Sequence, residues 1–257
     1  LNGVAVQFNI HAFRLGRLAA SNPDALTSLL PNHNKVVETD IAEQISKRES
    51  FLEDYQDSKY SLRYRELINK VQEADKRLGW DRDDFSRSVV RYAFKLMAYK
   101  DEYEVARLFS VDDFSEQVKG TFEGNYKLHF HLAPPLFARK DPKTGRPRKS
   151  EFGPWIRHIF KGLAKFKGLR GTKLDPFGWT EERRTEREIR DQYFSDMERL
   201  CASLSKDNYE AAIALAEIPE QIRGFGHVKL QSIDDAVTGR EVILSQLAKT
   251  SSQERAA

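Results

Sequence analysis

The middle of the chain carries a regular apolar pattern that constrains the fold more than any other feature. Apolar residues recur there at alternating steps of four and three, which places seven side chains on one side of a single helix predicted over residues 83–109. The seven residues are Phe85, Val89, Tyr92, Leu96, Tyr99, Tyr103 and Ala106. A helix with such a long apolar side has to be covered by other elements, so the sequence predicts a packed helical domain.

Further helices are predicted on both sides of this one. Two apolar stripes between residues 39 and 78 indicate two helices or one long bent helix. A basic amphipathic helix is predicted over residues 153–167, and we expect its apolar side to lie in the core. The residues of that apolar side are Trp155, Ile156, Ile159, Phe160, Leu163 and Phe166. Thr180 is placed to cap a charged helix, and shorter helical patterns follow over residues 208–217 and after residue 226.

After Gly124 the pattern changes to a period of two. Apolar residues alternate there with polar ones, which is typical of a half-buried strand; they are Tyr126, Leu128, Phe130 and Leu132. A turn signal rich in Pro and Gly at residues 141–147 then predicts a β-hairpin. We therefore expect a mainly α fold, a helical domain with a small central β-hairpin.

The sequence divides into three parts. Residues 1–36 form a docking helix and a linker, residues 37–250 the helical domain, and residues 251–257 a flexible tail. Val4, Phe8 and Leu15 leave apolar surface on more than one side of the opening helix, so we expect that helix to dock onto a partner.

The first residue and the single cysteine indicate how the chain arises and in which cellular compartment it lies. The chain begins at Leu1 and has 2 methionines, both internal, so we expect a fragment or a processed product. The 1 cysteine, Cys201, excludes a disulfide framework and leaves no thiolate set for an iron–sulfur cluster. We expect Cys201 to be a packed thiol in a cytoplasmic protein.

No apolar run approaches the roughly 18 residues of a membrane helix, so no membrane partner is expected.

Positive charge is concentrated in residues 139–173. That stretch holds 12 Lys or Arg against Asp141 and Glu151, a net +10, and the remainder is −7 by difference from the total of +3. Arg157, Lys161 and Lys165, on the polar side of the basic helix, are the predicted docking surface for an acidic partner. Nucleic acid is the less favoured alternative, because the aromatic residues of the segment are expected in the core and not as stacking platforms.

Searches for catalytic patterns find none. The chain lacks a Gly-rich phosphate loop, a nucleophile elbow, a His-Glu-x-x-His zinc helix and the Gly-Asp-Gly segment of a thiamine diphosphate–magnesium site. His129 and His131 share one strand face, yet no cysteine or neighbouring acid completes a coordination sphere, so we expect a solvated face and no metal. No catalytic residue is predicted.

Two groups of charged residues are candidates for binding. Lys100 and Glu104 are four residues apart on the predicted long helix, either as an ordinary surface pair or as a buried charge pair that lines a pocket. Arg223, His227 and Lys229 surround a Gly-containing turn before the last helix and form a candidate anion site. Alternatively, the glycines only allow a tight turn, and Arg223 bonds helix carbonyls.

Several long stretches resemble the C-terminal domain of the indolepyruvate ferredoxin oxidoreductases in which all subunits are fused in one chain. They are KLMAYKDEYEVARLF (95–109), FEGNYKLHFHLAPPLFARKDPKTGRPRKSEFGPW (122–155), GLRGTKLDPFG (168–178) and IPEQIRGFGHVK (218–229). The opening LNGVAVQFNIHAFRLGRLAA resembles the last helix of the γ-like domain that precedes it in that family.

The resemblance implies a parent enzyme that oxidatively decarboxylates indolepyruvate or another aryl-pyruvate. In that family thiamine diphosphate with magnesium forms the reactive intermediate, [4Fe-4S] clusters carry electrons to ferredoxin, and coenzyme A captures the acyl group. None of those motifs occurs here, so the resemblance implies a non-catalytic accessory domain without its own cofactor. The partners it implies are the upstream catalytic domains of the same polypeptide and ferredoxin, and we expect a homo-oligomer. The alternative is an autonomous helical module that binds a polyanion, either nucleic acid or an acidic protein.

Overall fold

The chain has 257 residues, and the computed structural model describes residues 6–22, 25, 40–110, 116, 118, 120, 121, 124, 127–132, 148–224 and 227–254. Within this part the fold is mainly α with one small two-stranded sheet, which confirms the predicted fold class. The helices are α1 (Val6–Ser21), α2 (Ile41–Tyr55), α3 (Ser58–Arg77), α4 (Asp84–Met97), α5 (Glu102–Ser110), α6 (Ile156–Ala164), α7 (Glu181–Ser203), α8 (Tyr209–Glu217) and α9 (His227–Glu254). The strands are β1 (Phe130–Leu132) and β2 (Ser150–Phe152), and short 3₁₀ helices cover Lys167–Leu169 and Ile218–Gln221.

The chain separates into two compact units, Leu1–Glu43 and Gln44–Ala257. In the first unit, α1 has no buried residue, and Phe8 and Phe13 are exposed. The predicted boundary at residue 36 lies outside the described residues. At the other end α9 extends to Glu254, into the segment that we predicted as a tail. None of the described helices has both the length and the apolar composition that crossing a membrane requires.

The predicted hairpin is present as an antiparallel pair of short strands. Phe130 of β1 lies opposite Phe152 of β2, and His131 lies opposite Glu151. Phe130 is buried with Ala106 of α5 and with Ile156 and Phe160 of α6, so the sheet and the two helices share one small core. The predicted turn at residues 141–147 lies outside the described residues.

The region between residues 39 and 78 forms two helices and not one bent helix. Asp57 lies between them with extended backbone, and its carboxylate accepts a hydrogen bond from Tyr60 N at 2.7 Å. An acceptor at this position satisfies one of the free N–H groups at a helix start, so α3 begins immediately after it.

The single helix predicted over residues 83–109 is wrong. α4 ends at Met97 and α5 begins at Glu102, because Ala98 leaves helical geometry with φ −107° and ψ 64°. Asp101 then caps α5 by accepting a hydrogen bond from Glu104 N at 2.8 Å. The apolar pattern continues across the break, with Tyr103 buried like the residues of α4, so periodicity alone gives no sign of it.

A buried ion pair between Arg170 and Asp101 holds the break in place. Arg170 Nε lies 2.5 Å from Asp101 Oδ2 and Nη2 lies 2.9 Å from Oδ1, with side-chain exposures of 3% and 4%. The remaining guanidinium nitrogen donates to the carbonyl of Tyr55, and the group lies 3.7 Å from the centre of the Tyr55 ring. The pair therefore joins the end of α2, the start of α5 and the segment after α6.

Asp175 organises the segment that carries Arg170. Its carboxylate is buried and accepts hydrogen bonds from Gly171 N at 2.8 Å, from Phe177 N at 3.1 Å and from the hydroxyl of Tyr103 at 3.1 Å. Gly171 has φ +74°, a conformation that favours glycine. This network closes residues 170–178 into a compact turn, which fixes the backbone from which Arg170 reaches Asp101.

We predict that Arg170→Met destabilises the protein by about 3–5 kcal/mol, because it leaves the Asp101 carboxylate buried without its cation. Thermal unfolding should show a fall in Tm of roughly 10 °C. Lys70→Ala is the matched control, since it breaks the exposed ion pair with Glu198 and should change stability by less than about 1 kcal/mol. Equal effects of the two substitutions would contradict the assigned role of Arg170.

Candidate functional site

Four basic side chains line one cleft of the larger unit, which we call the cationic cleft. They come from the last turn of α4, the break before α5, the turn after the second 3₁₀ helix and the first turn of α9: Lys95, Lys100, Arg223 and Lys229. The cleft has a volume of about 200 Å³, and its walls include the apolar side chains of Leu96, Ile189 and Ile233.

Lys100 lies in this cleft because the helix breaks. Between Met97 and Glu102 the backbone is not helical, and Lys100 is exposed. Glu104 is buried and bound by Arg107, whose Nε and Nη2 lie 2.8 and 2.9 Å from its two carboxylate oxygens. The predicted buried pair of Lys100 with Glu104 is therefore not formed in the described part of the chain, because the break removes the helical spacing on which it depends.

Lys229 is held by a buried acid. Its ammonium donates to the carboxylate of Glu186 on α7. Arg183 of the same helix also binds this carboxylate. The Nε of Arg183 lies 3.9 Å from Oε2 of Glu102. The positive charge of Lys229 is thus largely compensated within the chain, and its side chain has a fixed position at the edge of the cleft.

Arg223 is bound to its own helix end. Its Nε donates to the carbonyl of Glu220 at 3.0 Å and its Nη2 to the carboxylate of Glu220 at 3.1 Å. Gly224 follows with φ +89°, and a Cβ there would lie 2.7 Å from Val228 Cγ1. These contacts match the alternative in which the glycine shapes a turn and Arg223 bonds a helix carbonyl. The side chain of His227 lies outside the described residues.

Lys95 completes the cleft, and sequence analysis missed it. Its ammonium donates to the carbonyls of Pro219 at 2.6 Å and Glu220 at 3.4 Å. Partial burial lowers the pKa of Lys95, and the positive charge of Arg223 lowers it further. Four cations and one carboxylate, Glu186, thus line the same space, which suits the binding of an anion.

The predicted docking residues lie on α6. Lys161 and Lys165 are exposed, whereas Arg157 is half-buried. The expectation that the whole apolar side of this helix is core is wrong. Ile156 and Phe160 are buried, but three residues on a second side remain exposed: Trp155 at 55%, Ile159 at 52% and Phe166 at 57%.

This split follows from the small size of the core beneath α6. The strand β1 and helix α5 cover only the side of α6 that carries Ile156 and Phe160. Trp155, Ile159 and Phe166 follow at steps of four and seven, so they share a different side of the helix and its flanking turns. We call these three residues, together with Lys161 and Lys165, the α6 surface.

His129, which precedes β1, has one acidic side chain as a neighbour. The ring of His129 contacts the carboxylate of Glu151 across the hairpin. This contact was not predicted, because Glu151 is 22 residues away in the sequence. Across the described ranges no group of three or more His, Cys, Asp or Glu side chains is placed to hold a metal ion.

Residues 41–241 match the model of a family described as a family of unknown function, DUF6537. No curated protein and no solved structure matches the chain. The matched range contains every residue of the cationic cleft and of the α6 surface, so both surfaces lie within the family domain.

We predict that Cys201 is unreactive in the folded protein. The side chain is buried, and burial raises the pKa of its thiol to about 11. At pH 8 the thiolate fraction should therefore be about 100-fold lower than for an exposed thiol, and a disulfide reagent such as Ellman's should react correspondingly slowly. The chain unfolded in urea is the control and should react at the ordinary rate. Equal rates in both states would show that Cys201 is accessible.

Proposed function

We propose that the chain, which belongs to DUF6537, a family of unknown function, is a non-catalytic accessory domain that docks onto an acidic protein surface. The observation that carries this proposal is the α6 surface, where Trp155, Ile159 and Phe166 are exposed on the same helix and flanking turns as the exposed Lys161 and Lys165.

The composition of the α6 surface suits a protein interface. Large exposed aromatic side chains that share one side of a helix mark interaction sites, and Trp is enriched among the residues that contribute most to binding. The exposed lysines of the same helix add long-range attraction to an acidic partner and a dependence on salt. The contact is therefore expected to combine an apolar centre with a basic edge.

The partner that we propose is the catalytic part of the same polypeptide. The support is the resemblance of residues 95–109, 122–155, 168–178 and 218–229 to the C-terminal domain of fused indolepyruvate ferredoxin oxidoreductases. On this proposal thiamine diphosphate, magnesium and the [4Fe-4S] clusters belong to the upstream domains, ferredoxin is the electron acceptor, and the protein is cytoplasmic. Exposed Phe8 and Phe13 on α1 offer a second apolar surface for docking.

Nucleic acid is the second candidate, and one observation favours it. Trp155 and Phe166 are exposed on a helix that also carries exposed lysines, and exposed aromatic rings together with cations are the elements of a base-stacking surface. The acidic protein surface stays the preferred partner because Ile159, which lies between Trp155 and Phe166 in the sequence, is exposed as well and cannot stack on a base.

Charge reversal of the α6 surface tests the docking. We expect hydrogen exchange in residues 156–166 to be slower in the complete natural polypeptide than in the isolated chain, because docking covers α6. Lys161→Glu with Lys165→Glu should remove the added protection at about 50 mM NaCl and have little effect at about 1 M, where charges are screened. Lys59→Glu with Lys76→Glu makes the same change of charge at two exposed sites on α3 and should have no effect.

Two results would contradict the proposal. Equal exchange of α6 in the isolated chain and the complete polypeptide would mean that nothing covers the surface. Tight binding of the isolated chain to random duplex DNA, with affinity that falls steeply with salt, would favour the nucleic-acid candidate.

The proposed parent activity has its own test. The complete polypeptide should contain iron and reduce ferredoxin with indolepyruvate and coenzyme A, whereas the isolated chain should do neither, because one thiol cannot replace the four that ligate such a cluster. Stoichiometric iron in the isolated chain would contradict the assignment of the clusters to the upstream domains.

A further inference from the structure

A second cavity adjoins the cationic cleft. It has a volume of about 340 Å³ and lies between α7 and α9, with the segment around Pro219 at its base. Four apolar side chains line both spaces: Leu96, Ile189, Ile222 and Ile233. The cavity and the cleft are therefore neighbours with a shared wall, and we call the cavity the apolar groove.

Helical spacing makes the groove apolar. Ile189 and Tyr193 are four residues apart on α7, and Ile233 and Val237 are four residues apart on α9, so each helix presents one side to the same space. The size of the groove is within the range of cavities that hold small organic molecules, on the order of 300–1,000 Å³.

The polar groups at the far end of the groove are already paired. Asp196 accepts from Arg240 at 2.5 and 2.9 Å and from Gln192 at 3.1 Å, and the hydroxyl of Tyr193 donates to the carbonyl of Ala216 at 3.0 Å. Glu188 is exposed at the rim of the groove and repels anions from that part. A charged ligand therefore has its best partners at the other end, in the cationic cleft.

Within the cleft two cations have no carboxylate partner among the described residues. Glu186 binds Lys229 and Glu220 binds Arg223, whereas Lys95 donates only to carbonyl oxygens, and Lys100 makes no hydrogen bond or ion pair with any residue that the structure describes. Burial lowers the pKa of Lys95 and the positive charge of Arg223 lowers it further, whereas the nearby carboxylate of Glu220 raises it.

We propose that the cationic cleft and the apolar groove together bind one small organic acid, with its carboxylate between Lys95 and Lys100 and its apolar body against Ile189 and Ile233. An aromatic or branched body suits the groove, and a single carboxylate suits the two ammonium groups that form no ion pair with a described carboxylate. The site is distinct from the α6 surface and does not rest on the docking proposed above.

Calorimetric titration of the chain with three probes tests the ligand class. We expect 3-phenylpropanoate to bind at one site. The alcohol 3-phenylpropan-1-ol should bind at least about 10-fold more weakly because it lacks the charge, and inorganic phosphate should bind at least about 10-fold more weakly because it lacks the apolar body. Absence of 3-phenylpropanoate binding at millimolar concentration would overturn the proposal. Equal affinity for phosphate would overturn the assigned role of the groove.

Two substitutions test the orientation of the ligand. Lys100→Gln removes a charge from an exposed side chain without a partner and should weaken 3-phenylpropanoate about 10-fold, while the alcohol is unaffected. Val237→Trp, at a position that is 44% exposed, narrows the groove and should weaken the acid and the alcohol alike. Lys59→Gln on α3 is the matched control. Unchanged binding of the acid by the Lys100→Gln variant would overturn the placement of the carboxylate.

Discussion

The ion pair of Arg170 with Asp101 determines how the centre of this domain is arranged. A guanidinium buried to this degree needs acceptors on several sides, and it finds them in the carboxylate of Asp101 and the carbonyl of Tyr55. Because Asp101 also caps α5, the same pair decides where one helix ends and the next begins. The break then places Lys100 in the cationic cleft and aligns α5 with α6 and the hairpin.

The basic segment, residues 139–173, serves two different purposes. Arg170 is turned inward and contributes to the core, whereas Lys161 and Lys165 are exposed on α6. A count of charges treats these residues alike. Arg170, however, is buried and stabilises the fold, whereas the exposed Lys161 and Lys165 can contact a ligand or another protein. The proposed docking through α6 and the proposed binding of an organic acid therefore use different cations on separate surfaces.

Much of the fold was predictable from apolar periodicity, and the helix break was not. Spacing identified the buried sides of α3 and α4 and the alternation of the strand at Phe130, because those patterns depend on local geometry. The break at residues 98–101 depends on Arg170, which is about 70 residues away in sequence, so no local pattern reveals it. For the same reason Lys100 and Arg223 were predicted as members of separate sites, and Lys95 was not predicted at all. The exposed side of α6 was missed because periodicity identifies an apolar side but not the element that covers it.

Hydrogen exchange at the backbone amide of Glu104 is the most direct test of this account. The amide donates to the carboxylate of Asp101, which Arg170 holds in the core, so its exchange should require an opening free energy within about 1 kcal/mol of that for global unfolding. In an Asp101→Ala variant the same amide should exchange at least about 10-fold faster than in the wild type. Fast exchange of Glu104 in the wild-type protein, at the rate of an unprotected amide, would contradict the claim that the buried pair fixes the start of α5 and the position of Lys100.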